Sequence, residues 1–441
     1  MEIALDLGFS GVGTQRLRSP EIQEEHRYKS SLDSVKREPR AAIHSFHRYF
    51  GKLVPAIPRM SIREFTHPGD KVLDPFCGSG TTVVEAALAG RAGYGVDLNP
   101  LAVLITRAKT AQKEIGCLLM ALDRLTAEVA AGQPAKDALL DLPYCVNMSH
   151  WFRPDVIRDL MRLKEAIGGL PDLEEQHFFM ACFAAVLRDV SNADPRHVFP
   201  GYSKRMRALD EAGKRRLDVW GAFVKGARRR IRNLGQFQSG CQGGFPTQAF
   251  EGTAVCLPPE VPTVDLVVTN PPYISSIRYL ETLKLELHWL GMAPSREAYL
   301  NMDRRTLGTE RFYRKDYAAW APTDIVEVDR LTMDLFANDH RKMSCVVGRY
   351  FSGMRDFFRE MARVLHPSGH LVMKISDSFV REFTIPTHEI LPILAKRSGF
   401  DLLEAFPDQI LSRSLLTKRN SFSKMIPHDW ILIWRQGGKG G

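Results

Sequence analysis

The sequence predicts an α/β fold with a largely parallel sheet and one long helical insertion. Three observations support this class. Residues 67–100 show the pattern strand, glycine-rich turn, helix, strand, which is typical of a βαβ unit with a right-handed crossover. An apolar strand later stops abruptly at Asn270–Tyr273, in the run Asn-Pro-Pro-Tyr. Between these two features, residues 111–245 show helical spacing of apolar positions with few strand signals.

Composition places the chain among ordinary globular proteins. Its 441 residues allow two or three domains, and 44% hydrophobic with 25% charged residues is typical of a protein with a well-formed core. The net charge of +9 favours a polyanionic partner without identifying it.

Cysteine usage and hydropathy indicate the cellular compartment. The seven cysteines are scattered without a Cys-x-x-Cys pair, so we expect neither a zinc module nor a disulfide scaffold, and no metal site. No signal-peptide pattern opens the chain, and no apolar run approaches the roughly 20 residues of a membrane span. We therefore expect a cytoplasmic protein without a membrane partner.

The first elements follow in order from the amino terminus. Residues 1–40 are polar and weakly periodic, which predicts a loose arm or a few short elements. From Ala41 the chain becomes aromatic and basic, and a helix is predicted over Pro58–Phe65. The βαβ unit is predicted as strand Lys71–Asp74, helix Thr81–Ala89 and strand Gly93–Asp97.

The turn inside this unit has the residues of a nucleoside site. Gly78 and Gly80 allow the backbone to approach a ligand closely, and the helix that follows directs free N–H groups at it. Asp97, at the end of the second strand, is placed to accept hydrogen bonds from a ribose diol. The pattern is Phe-x-Gly-x-Gly, so neither a pyrophosphate nor a triphosphate grip is indicated, and a tight turn without a ligand is the alternative.

The insertion is predicted to be helical. The predicted helices are Leu101–Lys113, Glu114–Ala131, Pro154–Ile167, Leu173–Val190 and Lys204–Leu234. Its last stretch, residues 201–235, holds eleven Lys and Arg against three acids. A solvated helix face and a surface that follows DNA phosphates both explain this run.

Sheet signals return after the insertion. Strands are predicted over Gln248–Val255, Asp265–Thr269, 399–406 and 428–435, a turn and strand over 366–378, and helices over Ile277–Leu290, Arg349–Leu365 and Pro386–Ser398. Residues 296–350 are polar and mix basic with aromatic side chains. A loop that faces nucleic acid and a surface flap are both consistent with that mixture.

The Asn-Pro-Pro-Tyr stretch has a distinct chemistry. Pro271 and Pro272 fix φ and donate no N–H, so the strand cannot continue through them. The rigid loop offers the amide of Asn270 and nearby carbonyls as acceptors, and Tyr273 offers a flat face. These groups suit the exocyclic amino group of a flat heterocycle, although a Pro-Pro turn with a packed aromatic ring is the simpler alternative.

Four stretches together resemble a known family, the S-adenosylmethionine-dependent DNA methyltransferases that modify N6 of adenine or N4 of cytosine. The stretches are FHRYFGKLVPAIP (46–58), DPFCGSGTT (74–82), GVDLNP (95–100) and TNPPY (269–273). The resemblance covers roughly residues 44–110 and 247–441. It implies a Rossmann-like seven-stranded methyltransferase sheet whose last strand is antiparallel.

The resemblance also implies residue roles. It implies that S-adenosyl-L-methionine is bound by Lys52, Asp74, Phe76, Gly78, Gly80, Thr81, Asp97 and Asn99. It implies that Asn270, Pro271, Pro272 and Tyr273 form the catalytic loop on the target base. One departure is EGTA at residues 251–254, where the family often has an acid, so Glu251 or Thr253 must replace that contact or it is absent.

The domain organisation follows from the same comparison. We predict an arm over residues 1–40, a catalytic domain from 41–110 and 246–441, and a helical insertion over 111–245 that is a candidate DNA-recognition region.

The predicted activity is methylation of double-stranded DNA, with adenine favoured because the resemblance associates Asn at the first loop position with N6 enzymes. None of the cysteines follows a proline, which argues against C5-cytosine chemistry. The alternatives are an RNA amino-group methyltransferase and an inactive nucleic-acid-binding protein on the same fold. A cognate restriction endonuclease and the oligomeric state stay open.

Overall fold

The computed structural model describes residues 27–130, 147–241, 246–275, 278–380, 383–409 and 428–437. The strands are β1 Lys71–Asp74, β2 Ala92–Asp97, β3 Thr247–Glu251, β4 Val264–Thr269, β5 Leu365–Ile375, β6 Ser378–Val380, β7 Phe383–Ile385, β8 Phe400–Gln409 and β9 His428–Gln436.

Helices surround these strands. They are α1 Arg27–Val35, α2 Ala56–Phe65, α3 Thr81–Leu88, α4 Pro100–Lys109, α5 Ile115–Ala130, α6 Met148–Trp151, α7 Pro154–Gly168, α8 Leu173–Val190, α9 Lys204–Glu211, α10 Val219–Gly240, α11 Tyr279–Thr282, α12 Lys284–Trp289, α13 Arg296–Arg305, α14 Val326–Ala337, α15 Arg341–Val364 and α16 Thr387–Arg397.

Seven strands form one mixed sheet in the order β3-β2-β1-β4-β5-β9-β8. The neighbours from β3 to β5 pair in parallel, whereas β9 is antiparallel to both β5 and β8. The predicted fold class, including the antiparallel last strand, is therefore confirmed. Because β2, β1 and β4 are adjacent and parallel, the loops that follow these three strands open at the same edge of the sheet.

The sheet is covered on both faces. Along β9, Ile431 and Ile433 pack towards α1 and α2, while Leu432 and Trp434 pack towards α15 and α16. This alternation follows from the period of two residues in a strand. Both faces are apolar, which explains why β1 and β4 appear in the sequence as short continuous apolar runs.

The helices of residues 111–245 share a core with the catalytic part of the chain. Val84 of α3 and Leu104 of α4 belong to the same buried cluster as Phe183 of α8 and Phe223 of α10. Trp289 of α12, which comes from beyond the insertion, is buried in that cluster as well. The insertion therefore stacks on α3 and α4 as an outer helical layer. The boundaries predicted for the three domains stay a prediction.

Several predicted elements differ from the observed ones. The single helix predicted over Lys204–Leu234 is wrong, because the chain leaves α9 at Ala212 and turns through Gly213, whose φ is +63°. The helix predicted over Ile277–Leu290 is divided into α11 and α12 at Leu283, and residues 276–277 lie outside the described residues.

The polar segment 296–350 forms α13, α14 and the start of α15 rather than an extended flap. Of the predicted amino-terminal arm, residues 1–26 lie outside the description, whereas Arg27–Val35 form helix α1. No helix among the described residues combines the length and the apolar character that crossing a membrane requires.

Candidate active site

The glycine-rich loop after β1 is fixed by its own backbone. The Cys77 N–H donates to the Val96 carbonyl of β2 at 3.0 Å, and the Gly80 N–H donates to the Cys77 carbonyl at 2.7 Å. Gly80 has a φ of +73°, and a Cβ there would lie 2.6 Å from Thr106 Oγ1. Only glycine fits this position without a shift of α4, so the loop can lead directly into α3.

Asp97 joins this loop to the end of β2. Its Oδ2 accepts from the Gly78 N–H and its Oδ1 from the Asn99 N–H, both at 2.8 Å. Burial raises the pKa of the Asp97 carboxyl to about 6, and these two backbone hydrogen bonds oppose the rise. Each carboxylate oxygen keeps a second lone pair, so both can still accept from a diol.

Asp74 lies beneath the loop, outside the lining of the cavity. It is 2% exposed, and its two oxygens accept from the hydroxyls of Thr269 and Thr82 and from the Phe76 N–H. Burial raises the pKa of Asp74 to about 6. In this arrangement Asp74 ties β1, α3 and β4 together. Thr81, also predicted to bind cofactor, is buried at the start of α3.

The segment before α2 packs across the same edge of the sheet. Tyr49, Phe50 and Gly51 line the cavity described below. Lys52 points away from it, because its ammonium group donates to the carbonyls of His44 at 3.0 Å and His47 at 2.6 Å. Burial lowers the pKa of Lys52 to about 8. Lys52 therefore stabilises the fold of this segment through hydrogen bonds to its backbone.

One cavity joins the glycine-rich loop to the Asn-Pro-Pro-Tyr loop. The predicted residues that line it are Phe76, Gly78, Asp97, Asn99, Asn270 and Pro272. It is also lined by residues that sequence reasoning missed: Tyr49, Leu98, Ala254, Val255, Tyr279, Thr306, Leu307 and Gly353. Thr253 lines the cavity, whereas Glu251 does not and is exposed, so of the two candidates at the EGTA stretch it is Thr253 that faces the site.

The Asn-Pro-Pro-Tyr loop is fixed through Asn270. Its Nδ2 donates to the Gly51 carbonyl at 3.1 Å, and its Oδ1 accepts from the Tyr273 hydroxyl at 2.9 Å. Burial raises the pKa of Tyr273 well above its ordinary value, so the hydroxyl stays protonated and donates. The Asn270 side chain is thus oriented at both ends, with one lone pair of Oδ1 still available.

Pro271 offers a second acceptor beside it. Pro271 is buried, and no donor in the described part of the chain bonds its carbonyl. The loop thus contains two acceptor oxygens, of which that of Asn270 belongs to a residue lining the first cavity, whereas Pro271 does not line it.

A second cavity lies behind the loop and shares a wall with the first. Tyr273, Arg278 and Phe199 line it, and Tyr279, Thr306 and Leu307 line both cavities. Phe199 belongs to the insertion, and the Arg278 guanidinium lies 5.7 Å from the centre of its ring.

The segment Arg305–Leu307 lines the first cavity, and we refer to it as the roof. Next to it, the Ser275 N–H donates to the Gly308 carbonyl at 3.3 Å, and a Cβ on Gly308 would lie 2.8 Å from the Tyr273 carbonyl. The chain that follows the roof is therefore in direct contact with the Asn-Pro-Pro-Tyr loop.

The cavity fits S-adenosyl-L-methionine in its donors and acceptors. Asp97 presents a carboxylate, and the Asn99 amide nitrogen is buried without a hydrogen-bond partner among the described residues. Phe76, Leu98 and Ala254 supply apolar contacts of the kind that a purine ring needs. A side chain on Gly78 would meet the Tyr49 ring at 3.1 Å, so glycine keeps this space open.

Comparisons with known proteins agree with the site. A family model described as "DNA methylase" matches residues 18–107. The chain is 25% identical over 437 residues to the type II methyltransferase M.MvaI of Kocuria varians, covering 93% of this chain and 92% of that one. It is 20% identical over 468 residues to M.BsoBI of Geobacillus stearothermophilus, covering 94% and 90%.

Among solved structures, TrmN from Thermus thermophilus aligns with a TM-score of 0.30 and 13% identity, over 93% of this chain and 53% of that one. The family match and the two relatives that cover nearly the whole chain agree with the four sequence stretches, all of which contribute residues to one cavity. These findings support the resemblance of the chain to the S-adenosylmethionine-dependent amino-methyltransferases of DNA.

Proposed function

We propose that the protein is a site-specific DNA methyltransferase that modifies an exocyclic amino group of a base in double-stranded DNA. The observation that supports this most directly is the cavity shared by Asp97 and Asn270. A nucleoside cofactor held at Asp97 and an amino group held at Asn270 would then meet in one space.

The catalytic loop activates a weak nucleophile. The lone pair of an aromatic amino group is delocalised into the ring, so the nitrogen attacks poorly. Asn270 Oδ1 and the Pro271 carbonyl would accept its two hydrogens and favour tetrahedral geometry, which returns the lone pair to nitrogen. When bound, S-adenosylmethionine supplies the electrophilic sulfonium methyl group. Once methylated, the nitrogen is acidic, so no strong general base is needed.

Tyr273 has two roles in this proposal. Its hydroxyl orients Asn270, and its ring offers a face on which a base flipped from the duplex can stack. We place the base where the two cavities adjoin, with its ring against Tyr273 in the second cavity and its amino group at Asn270 in the first. N6 of adenine and N4 of cytosine make the same two hydrogen bonds, so these contacts do not distinguish the two bases. We favour adenine only because the family resemblance associates Asn at the position of Asn270 with N6 enzymes.

The test is methyl transfer by an Asn270→Ala variant. We expect the rate on duplex DNA to fall by about 10²- to 10³-fold, because one of the two acceptors is lost. Cofactor binding, measured by calorimetry, should stay within about threefold, since Asp97 and the glycine-rich loop are unchanged. Asn338→Ala is the matched control, because Asn338 is an exposed asparagine at the end of α14.

The same assay identifies the class of nucleic acid that is methylated and the base that receives the methyl group. Radiolabelled methyl transfer is measured on duplex DNA, transfer RNA and ribosomal RNA, and mass spectrometry of the product identifies N6-methyladenine or N4-methylcytosine. Label on RNA alone, or none on any substrate, contradicts the proposal. Loss of cofactor binding in Asn270→Ala would show that the loop has another role.

A further inference from the structure

The exposed side of α10 carries an uninterrupted row of positive charge. Lys225, Arg228, Arg229 and Arg232 are all exposed and follow each other at the spacing that places side chains on one face of a helix. We refer to these four residues as the α10 basic face. Among the residues with described positions, none of the four forms an ion pair.

Several other basic groups of the chain have acidic partners. Arg311 pairs with Asp303 and Lys342 with Glu310, close to the roof. In the insertion, Asp210 pairs with Arg215, and the buried Asp194 pairs with both Arg196 and Arg205. The unpaired charge of the α10 basic face therefore distinguishes it from these paired residues.

The direction of α10 brings one end of this face towards the active site. Gly240, at the carboxyl end of α10, lies against Leu88 at the end of α3 that is remote from the cofactor loop. Arg230, further towards the amino end, donates from Nε to the Phe46 carbonyl at 2.7 Å. Phe46 is only three residues before Tyr49, which lines the cavity.

Arg48 connects the α10 basic face to the rim of the cavity. Arg230, which follows Arg229 in α10, donates to the Phe46 carbonyl, and Arg48 lies two residues beyond Phe46. This hydrogen bond holds α10 against the segment that carries Arg48. Arg48 is itself exposed; its guanidinium donates to the carbonyls of Pro195 and His197 and lies 5.1 Å from the centre of the Phe50 ring, which lines the cavity.

The spacing of this face suits a phosphate backbone. From Lys225 to Arg232 the helix rises by about 10 Å. One strand of B-DNA presents a phosphate for roughly each 3.4 Å of helix axis, so about three phosphates lie within that length. Four cations over the same length are enough to neutralise about three phosphates.

We propose that the α10 basic face and Arg48 bind the phosphate backbone of the duplex whose target base enters the catalytic loop. This proposal rests on the proposed function, because it assumes a DNA substrate. It assigns to the insertion the contact that places the duplex over the cavity.

The test is the salt dependence of DNA binding in a variant with Lys225→Gln, Arg228→Gln, Arg229→Gln and Arg232→Gln. Binding of a labelled duplex is measured by fluorescence anisotropy between about 50 and about 200 mM salt. Each lost phosphate contact lowers the slope of log K against log salt by about 0.9, so the slope should fall by roughly 2 to 3. The affinity at low salt should fall at least about tenfold.

The matched control removes the same charge from the other side of the sheet. Arg359→Gln, Arg363→Gln, Lys396→Gln and Arg397→Gln change exposed residues of α15 and α16. We expect its slope to equal that of the unaltered protein. Equal slopes for the α10 variant and the unaltered protein, or an equal loss in the control, overturn the inference.

Two further measurements separate this result from other failures. Cofactor binding and thermal unfolding should be the same in both variants, and if the α10 variant unfolds early, Arg228→Glu alone is used and must also lower the slope. Failure of the proposed function is seen independently, as absence of methyl transfer to DNA by the unaltered protein.

Discussion

Asp97 has a double task at the residue scale. It closes the glycine-rich loop through the Gly78 and Asn99 N–H groups, and it faces the cavity where a ribose diol would bind. Both tasks require the carboxylate form, because only this form has acceptors on both oxygens. Burial works against that form and raises the pKa of Asp97 to about 6.

Cofactor affinity should therefore depend on pH. Above about 6 the carboxylate is ionised and accepts from the diol, whereas below it the added proton removes an acceptor. We expect the dissociation constant for S-adenosylmethionine to rise up to about tenfold per pH unit below that value. The measurement is calorimetric titration between about pH 5 and about pH 8.

Two variants separate Asp97 from Asp74, because burial raises the pKa of Asp74 to about 6 as well. Asp97→Asn should bind weakly throughout and lose the pH dependence, whereas Asp74→Asn should keep it. A flat profile for the unaltered protein would show that Asp97 does not titrate in this range.

At the scale of the element, α10 has two unlike sides. Arg229 is exposed, whereas its neighbour Arg230 is 4% exposed and packs its guanidinium over Phe46, 5.4 Å from the ring centre. A sequence cannot distinguish these two adjacent arginines by type. Only the helical phase, fixed by buried residues such as Phe223 and Ile231, separates them.

Replacing Arg230 should therefore lower the stability of the protein much more than replacing Arg229. We expect Arg230→Ala to lower the free energy of unfolding by roughly 2 to 4 kcal/mol, because it leaves a cavity and an unpaired Phe46 carbonyl. Arg229→Ala should change it by less than about 0.5 kcal/mol. Urea unfolding followed by circular dichroism measures both, and equal effects would contradict the assigned helix phase.

Local patterns predicted the elements whose neighbours lie close in sequence. The strand Lys71–Asp74 and the helix Leu173–Val190 were predicted at their observed bounds, because their apolar periodicity is uninterrupted. The helix predicted over Lys204–Leu234 was wrong because Gly213 lies within a run of basic residues that are good helix formers. Periodicity alone could not show that the chain turns there.

At the scale of the whole molecule, the insertion and the catalytic part are held by one core. Phe183 of α8 is fully buried, and its ring centre lies 6.0 Å from that of Trp289 in α12. Trp289 also packs edge-on against Phe152, which precedes α7. No separate unfolding of the insertion is expected from such a shared core.

The chain should unfold in one transition. We expect Phe183→Ala to lower stability by roughly 3 to 5 kcal/mol, because a large buried ring is lost. Tryptophan fluorescence and far-ultraviolet circular dichroism should shift together in urea. Two separated transitions, or a shift seen by one probe alone, would show that the helical layer unfolds independently.

The site could be predicted only where its residues belong to motifs. Asp97, Gly78 and Asn270 were predicted from short stretches, and the structure places all three on one cavity. Leu307 lines it too, but it lies in a polar segment with no signal of its own, more than 200 residues from Asp97. Lys52 was predicted in the site from its motif, yet packing directs its ammonium group to His44 and His47.

Tyr279, Thr306 and Leu307 line both cavities of the site. A molecule in either cavity contacts these three side chains. A ligand in one cavity can therefore change the conformation of side chains that the ligand in the other cavity contacts. By thermodynamic linkage, the factor by which the first ligand changes the affinity of the second equals the factor by which the second changes the affinity of the first. Coupling between a bound cofactor and a bound base would therefore need no distant relay, because both would contact the same side chains where the two cavities adjoin.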